Sequence, residues 1–179
     1  GPRDATPIIL NGLKRLEYRG YDSAGMALFN SEPAVFKCKG RVKDLEDIVK
    51  RSGYNASIGI GHTRWATHGV PSDVNAHPHQ DCTGKIAVVH NGIIENYAAL
   101  KRELMERGHN FRSDTDTEVL CHLINKYSRD YLLEDAVRHA TKNVKGAFAF
   151  AVLSEREEGK VVGVKKDSPL CVGLGDREY

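Results

Sequence analysis

Three short segments concentrate the residue types that chemistry needs: His62-Thr-Arg-Trp-Ala-Thr-His-Gly69, Asn75-Ala-His-Pro-His79 and His90-Asn-Gly-Ile-Ile-Glu-Asn96. Arg64 carries a planar fork of donors matched to a carboxylate. Asn91 followed by Gly92 sets a side-chain amide beside an unencumbered backbone N–H, the donor pair a developing oxyanion requires. No group in these segments is a strong nucleophile. Taken singly, each residue also has a structural reading. Arg64 fits a surface ion pair, Asn91-Gly92 a tight hairpin turn, Trp65 plain core, and Asp116 a charge at a helix start. His62, His68, His77, His79 and His90 crowd into one span, and His77-x-His79 resembles half a metal site. Further ligands at fixed spacing are missing, so these histidines are read as hydrogen-bonded loop and strand-end residues and no metal is expected.

The elements around these segments follow from periodicity. Thr6-Pro7 reads as a helix start, with Ile9, Leu13 and Leu16 repeating toward Gly20. Residues 23–30 and 34–39 flank Asn30-Ser-Glu-Pro33 as a hairpin. Val42, Leu45, Ile48 and Val49 mark a second helix that stops near Gly53, and residues 57–61 form a buried strand before the Arg64 loop. Residues 73–85 read as irregular and 86–89 as a strand. Tyr97, Leu100 and Leu104 define a helix ended by Gly108, and Thr115 with Glu118 fits a capping box ahead of Val119, Leu120, Leu123 and Ile124. Leu133, Ala136, Val137 and Ala140 predict another helix ended near Gly146. Strands follow at 147–153, 161–164 and 170–174. Antiparallel strands with helices grouped around them predict an α+β domain.

The 179 residues, with a formal charge of +2, suit one domain with a real core and show no basic stripe for nucleic acid. Apolar runs are short and no leader is visible, so a soluble cytoplasmic protein without membrane contact is expected. Cys38, Cys82, Cys121 and Cys171 form no CxxC pair and read as reduced thiols.

In order, and over essentially the whole chain, these segments resemble the glutaminase domain of the glutamine:fructose-6-phosphate amidotransferases, a class II group. Leu16-Glu-Tyr-Arg-Gly-Tyr-Asp-Ser-Ala-Gly25 and Ser113-Asp-Thr-Asp-Thr-Glu118 carry the likeness further. The resemblance implies the four-layer αββα sandwich of N-terminal nucleophile hydrolases. It implies hydrolysis of glutamine, with ammonia passed to fructose 6-phosphate to give glucosamine 6-phosphate in hexosamine biosynthesis, no cofactor, and a homo-oligomeric full-length protein. By the same resemblance Arg64 would hold the glutamine α-carboxylate and Asp116 its α-ammonium, with Thr67 and His68 lining the pocket. Asn91 and Gly92 would form the oxyanion hole, and Trp65 would lie on a gating loop. The Leu16 to Gly25 segment itself is read as a helix stop and packed turn.

The family's nucleophile is the thiol of an N-terminal cysteine whose own amine takes its proton. In relatives, the stretch equivalent to Gly1-Pro-Arg3 follows an apolar strand opening on that cysteine. The chain is therefore expected to start about seven or eight residues late, one strand's length, and to be inactive as given. Gly1-Pro2 as a tag scar is the other reading. Residues 1–179 are expected to form an incomplete glutaminase domain, clipped at both ends, without the sugar isomerase domains. Two rivals stay open: a glutamine-binding fragment or paralogue without chemistry, and the glutaminase domain of another class II amidotransferase.

Overall fold

The computed structural model describes residues 3–65 and 69–176. Helix α1 (Ala5–Leu16) is capped by Asp4, whose carboxylate accepts from the Thr6 N–H at 2.9 Å, so the cap lies two residues before the predicted Thr6. A 3-10 turn, Glu17–Arg19, leads into the antiparallel hairpin β1 (Ser23–Asn30) and β2 (Glu32–Lys39). Helix α2 (Val42–Ser52) ends on Gly53 in the left-handed region, as its glycine stop predicts. Strand β3 (Ile58–Arg64) pairs with β1, completing a sheet of order β2-β1-β3.

The second sheet has the order β4-β5-β6-β7 and is wholly antiparallel. Its strands are β4 (His79–Gln80), β5 (Ile86–Gly92), β6 (Phe148–Ser154) and β7 (Val162–Lys166). Helices α3 (Tyr97–Glu106), α4 (Glu118–Tyr127) and α5 (Leu133–Thr141) lie between β5 and β6 in the chain.

The two-residue period of each strand divides its side chains between two layers. On β1, Ala24, Met26 and Leu28 pack with Leu10 and Leu13 of α1 and Val42, Leu45 and Val49 of α2, while Ala27 and Phe29 face the other sheet. On β5, Ile86 and Val88 pack with Leu120, Leu123 and Ile124 of α4, while Ala87 and Val89 join Ala27, Phe29, Ile60 and Leu153 between the sheets. Helices, sheet, sheet and helices thus stack as an αββα sandwich, the α+β arrangement expected. The segment just before β4 presses on the first sheet at Gly25, where an added Cβ would sit 2.1 Å from the His77 carbonyl oxygen. That contact requires glycine at position 25, the last residue of the Leu16 to Gly25 segment. No helix among the described residues is long and apolar enough to cross a membrane.

Four local expectations need correction. Asn91-Gly92 is not a hairpin turn, because β5 runs through it and pairs Asn91 with Ala149 and Gly92 with Phe148. The Thr115/Glu118 capping box does not form. The Glu118 carboxylate instead reaches back to the N–H groups of Arg112 and Ser113 at 2.8 and 2.7 Å, securing the loop before α4. Residues 79–80, read as irregular, add a short strand to the edge of β5. The segment 170–174 forms no strand: Asp167 turns with φ of 57°, Pro169 follows, and Val172 and Leu174 stay exposed because no element packs over them.

Candidate functional site

Following the inner faces of the two sheets to one end leads to the site. On β3 the row Ile58, Ile60, His62, Arg64 shares a face. Its first two members pack in the inter-sheet core, and the last two turn polar where that layer opens. On β5, Ala87, Val89 and Asn91 repeat the same change. A cavity of about 550 Å³ lies at this end, walled by His62, Arg64, Trp65, Asn91, Gly92 and Asp116, with His77, His90, Thr115, Thr117 and Ala149 among its other residues. Its size falls within the span of about 300–1,000 Å³ usual for small-molecule sites.

Arg64 is 5 % exposed and donates through Nη2 to the Gly69 carbonyl at 3.1 Å. Burial lowers its pKa, and the carboxylates of Asp22 and Asp116 oppose that effect. Asp116, also buried, accepts the Ile94 N–H on Oδ2 at 2.8 Å. This bond engages one of its two oxygens and fixes the carboxylate on the cavity wall, where a helix-start charge would have faced solvent. Trp65 is 63 % exposed, so it is not core. Its ring lies 5.5 Å from that of Tyr21, at the cavity's rim. Thr67 and His68 lie outside the described residues.

The histidines divide between the two sides of β5. His62 Nε2 sits 2.9 Å from Asn91 Oδ1. The ring nitrogen must donate there, because the amide oxygen can only accept, and the amide NH₂ remains free to donate elsewhere. His90, on the opposite face of β5, pairs its Nδ1 with Thr117 Oγ1 at 2.9 Å, and His79 Nε2 pairs with Thr115 Oγ1 at 3.0 Å. The His77 ring packs against those of His62 and His79 at centroid distances of 4.3 and 4.8 Å. Burial is the main cause that pushes His79 down to about 3 and His90 to about 4, and it holds His77 well below the usual range. At neutral pH these imidazoles are uncharged, so the positive charge on β3 is that of the Arg64 guanidinium.

The sign of that depression fixes an acid sensitivity. His79 and His90 bind protons less readily folded than unfolded. The stability they contribute is therefore complete above about pH 6.5 and lost as the pH falls toward 4 and 3, at up to about 1.4 kcal/mol per pH unit for each ring. Urea midpoints measured from pH 7.5 to 5 should fall, and His79→Gln should flatten the slope. A midpoint constant over that range would contradict neutral burial.

The residues singled out by their types, Arg64, Trp65, Asn91, Gly92 and Asp116, line one cavity. By residue type His62 is one histidine among five; its place two residues before Arg64 is the signal that sets it on the same face. Arg19 lines the cavity from the 3-10 turn, in a segment whose sequence shows only a helix stop and packed turn. Gly92 has φ of 126°, and a Cβ there would meet the Ala147 carbonyl oxygen at 2.2 Å, so both its backbone angle and the close approach require glycine.

Residues 62–172 match the family described as Glutamine amidotransferase domain. Glutamine--fructose-6-phosphate aminotransferase [isomerizing] of Chlorobaculum tepidum is 56% identical over 185 residues, covering 100% of this chain and 30% of that protein. The protein of the same name from Aquifex aeolicus is 57% identical over 175 residues, covering 97% of this chain and 29% of its own length. Among solved structures, glutamine phosphoribosylpyrophosphate amidotransferase from B. subtilis superposes with a TM-score of 0.74 at 31% identity, covering 87% of this chain and 34% of that one. The chain spans about 30% of the length of the curated relatives it matches.

Proposed function

This chain belongs to the glutamine amidotransferase domain family, and from that premise we propose that its cavity binds glutamine and hydrolyses the side-chain amide to glutamate and ammonia. The convergence of Arg64, Asp116, Asn91 and Gly92 on one cavity carries this reading. A free amino acid presents a carboxylate and an ammonium on one carbon. Arg64 takes the first by charge-assisted hydrogen bonds and Asp116 the second. With its α-carbon held there, glutamine extends its γ-carboxamide toward the end of β5, and the Asn91 amide and Gly92 N–H receive the oxygen that becomes negative on attack. His62 is a positioning residue. By occupying Asn91 Oδ1 it selects the amide orientation whose NH₂ can donate to that oxygen.

The attacking thiol is assigned to an N-terminal cysteine, as in the family this chain resembles. None of the four cysteines takes that role: Cys38 and Cys121 are buried in the two helix-facing cores, Cys82 and Cys171 are exposed, and none of them walls the cavity. Trp65, at the rim, belongs to the segment that covers bound glutamine and keeps water from the acyl intermediate. Thr67 and His68 are assigned, as in the family this chain resembles, to binding glutamine.

The acceptor reading rests on the names of the relatives, which are fructose-6-phosphate aminotransferases. The full-length protein transfers the ammonia to fructose 6-phosphate, giving glucosamine 6-phosphate, in sugar isomerase domains that residues 1–179 do not include. A cytoplasmic setting and a homo-oligomeric assembly belong to the same proposal. The test is an assay of the full-length protein with glutamine and fructose 6-phosphate, following glutamate and glucosamine 6-phosphate separately. Equal yields of the two are expected. Glutamate without the amino sugar would overturn the acceptor reading, and no glutamate would overturn the glutaminase reading.

A further inference from the structure

A second group of chemistry-bearing side chains lies away from the cavity, on the helix-covered side of the second sheet. Cys82 sits in the turn between β4 and β5, His109 follows α3, and His122 lies one turn into α4. Each offers one ligand atom, and these atoms lie within 4.8 Å of one another. Cys82 Sγ is 4.0 Å from His109 Nδ1, which is 3.1 Å from His122 Nδ1. We propose that Cys82, His109 and His122 form a site for a single thiophilic divalent cation, zinc being the best fit.

Three observations carry this. The first is distance. A tetrahedral zinc with bonds of about 2.3 Å to sulfur and 2.05 Å to nitrogen separates its ligand atoms by roughly 3.3 to 3.6 Å. The two measured separations bracket that range, and the sulfur, on an exposed side chain, is the one that must move.

The second is the tautomer of His122, whose side chain is fully buried. Its Nε2 faces Glu118 Oε1 at 3.5 Å. The carboxylate already accepts from the Arg112 N–H, the Ser113 N–H and the Ser113 hydroxyl. An acceptor so placed keeps the His122 proton on Nε2 and turns a lone pair on Nδ1 toward His109. A carboxylate behind a histidine is the usual support of a metal-bound imidazole. The third is the donor set: one thiol and two imidazoles suit zinc, whereas calcium and magnesium take oxygen.

Without metal, the contact between the two Nδ1 atoms is a hydrogen bond whose proton belongs to His109. When the cation binds, that proton moves to His109 Nε2, the Cys82 thiol gives its proton to solvent, and one proton is released per metal bound. A water on the open side beside Cys82 would complete four-coordination.

The clasp would join the β4–β5 turn, the segment after α3 and the body of α4. Asp116 lies in the loop that leads into α4, so the cation would secure one wall of the amino-acid cavity without entering it. The spacing 82, 109, 122 follows no compact motif, which is why the cysteine pattern alone shows nothing.

The test uses tag-free protein incubated with one equivalent of zinc and then gel-filtered. About one zinc per chain should be retained, and Cys82→Ser and His109→Gln should each lose it. Alkylation mapped by mass spectrometry supplies an internal control: zinc should protect Cys82 while leaving Cys171, which is also exposed, reactive. With cobalt in place of zinc, a thiolate charge-transfer band should appear and vanish in Cys82→Ser. Wild-type protein that retains no metal, or Cys82 that alkylates as fast as Cys171 with zinc present, would overturn the proposal. Retention that survives both substitutions would also overturn it.

Discussion

Replacing Asn91 by alanine in the full-length protein is expected to lower kcat for glutamine hydrolysis roughly a hundredfold to a thousandfold, with the Michaelis constant little changed. The amide donates to an oxygen whose charge grows only as the carbonyl is attacked, so its loss is felt in turnover and not in ground-state binding. The His62–Asn91 hydrogen bond extends this into a cycle. His62→Ala leaves the Asn91 amide free to rotate, and should lower kcat by about tenfold or more. In Asn91→Ala the same substitution should cost almost nothing further, because the group it positions is gone. Protection by glutamine against thermal unfolding should survive in both single variants. An Asn91→Ala effect confined to the Michaelis constant would move Asn91 from oxyanion donor to ground-state contact. Strict additivity of the two substitutions would remove His62 from its positioning role.

The same pair of residues shows where the sequence was readable. The apolar rows Ile58, Ile60 and Ala87, Val89 carry a two-residue period that continues into His62, Arg64 and Asn91. Carried through the polar residues, that period puts all three on the inner faces at one end of the sandwich. Hydrophobicity alone ends the two strands at Gly61 and Val89 and leaves Asn91-Gly92 free for a turn. Backbone pairing does not stop where hydrophobicity stops; the ladder to β6 holds residues 91 and 92 in place.

What was not legible depends on contacts distant in sequence. The Thr115/Glu118 spacing matches a capping box, but Glu118 finds better partners in the loop behind it, at Arg112 and Ser113, once α4 is buried. Asp116 reads from sequence as a helix-start charge, whereas in the fold one of its oxygens accepts the Ile94 N–H from the loop after β5. The apolar spacing of 170–174 fits a strand, yet a strand needs a neighbour and a face to cover, and neither is provided among the described residues. Helices α2, α3 and α5 fared better because their apolar periodicity, with the glycine stops of α2 and α3, is local information.

Arg64 gives the second large effect. Arg64→Met should raise the Michaelis constant for glutamine by roughly 30-fold to several thousandfold, the range of about 2–5 kcal/mol for truncating one partner of a buried charge pair. The guanidinium serves two carboxylates, the substrate's and, through space, that of Asp116, whose charge helps keep it ionised despite its burial. Removing it deprives the ligand of its clamp and strips Asp116 of the guanidinium that faces it, and His79 and His90, held neutral down to about pH 4 and below, do not replace that charge. Arg64→Lys should recover only part of the loss, because an ammonium restores the charge but not the two-pronged geometry. The decisive comparison is glutamine against an analogue with the α-carboxylate replaced by a carboxamide. Wild type should discriminate between them strongly, and Arg64→Met should treat them nearly alike. Far-ultraviolet circular dichroism and an unchanged His62–Asn91 coupling would show that the fold survives the substitution. An unaltered preference for the carboxylate would mean that some other cation, with Arg19 the nearest candidate on the cavity wall, performs the recognition.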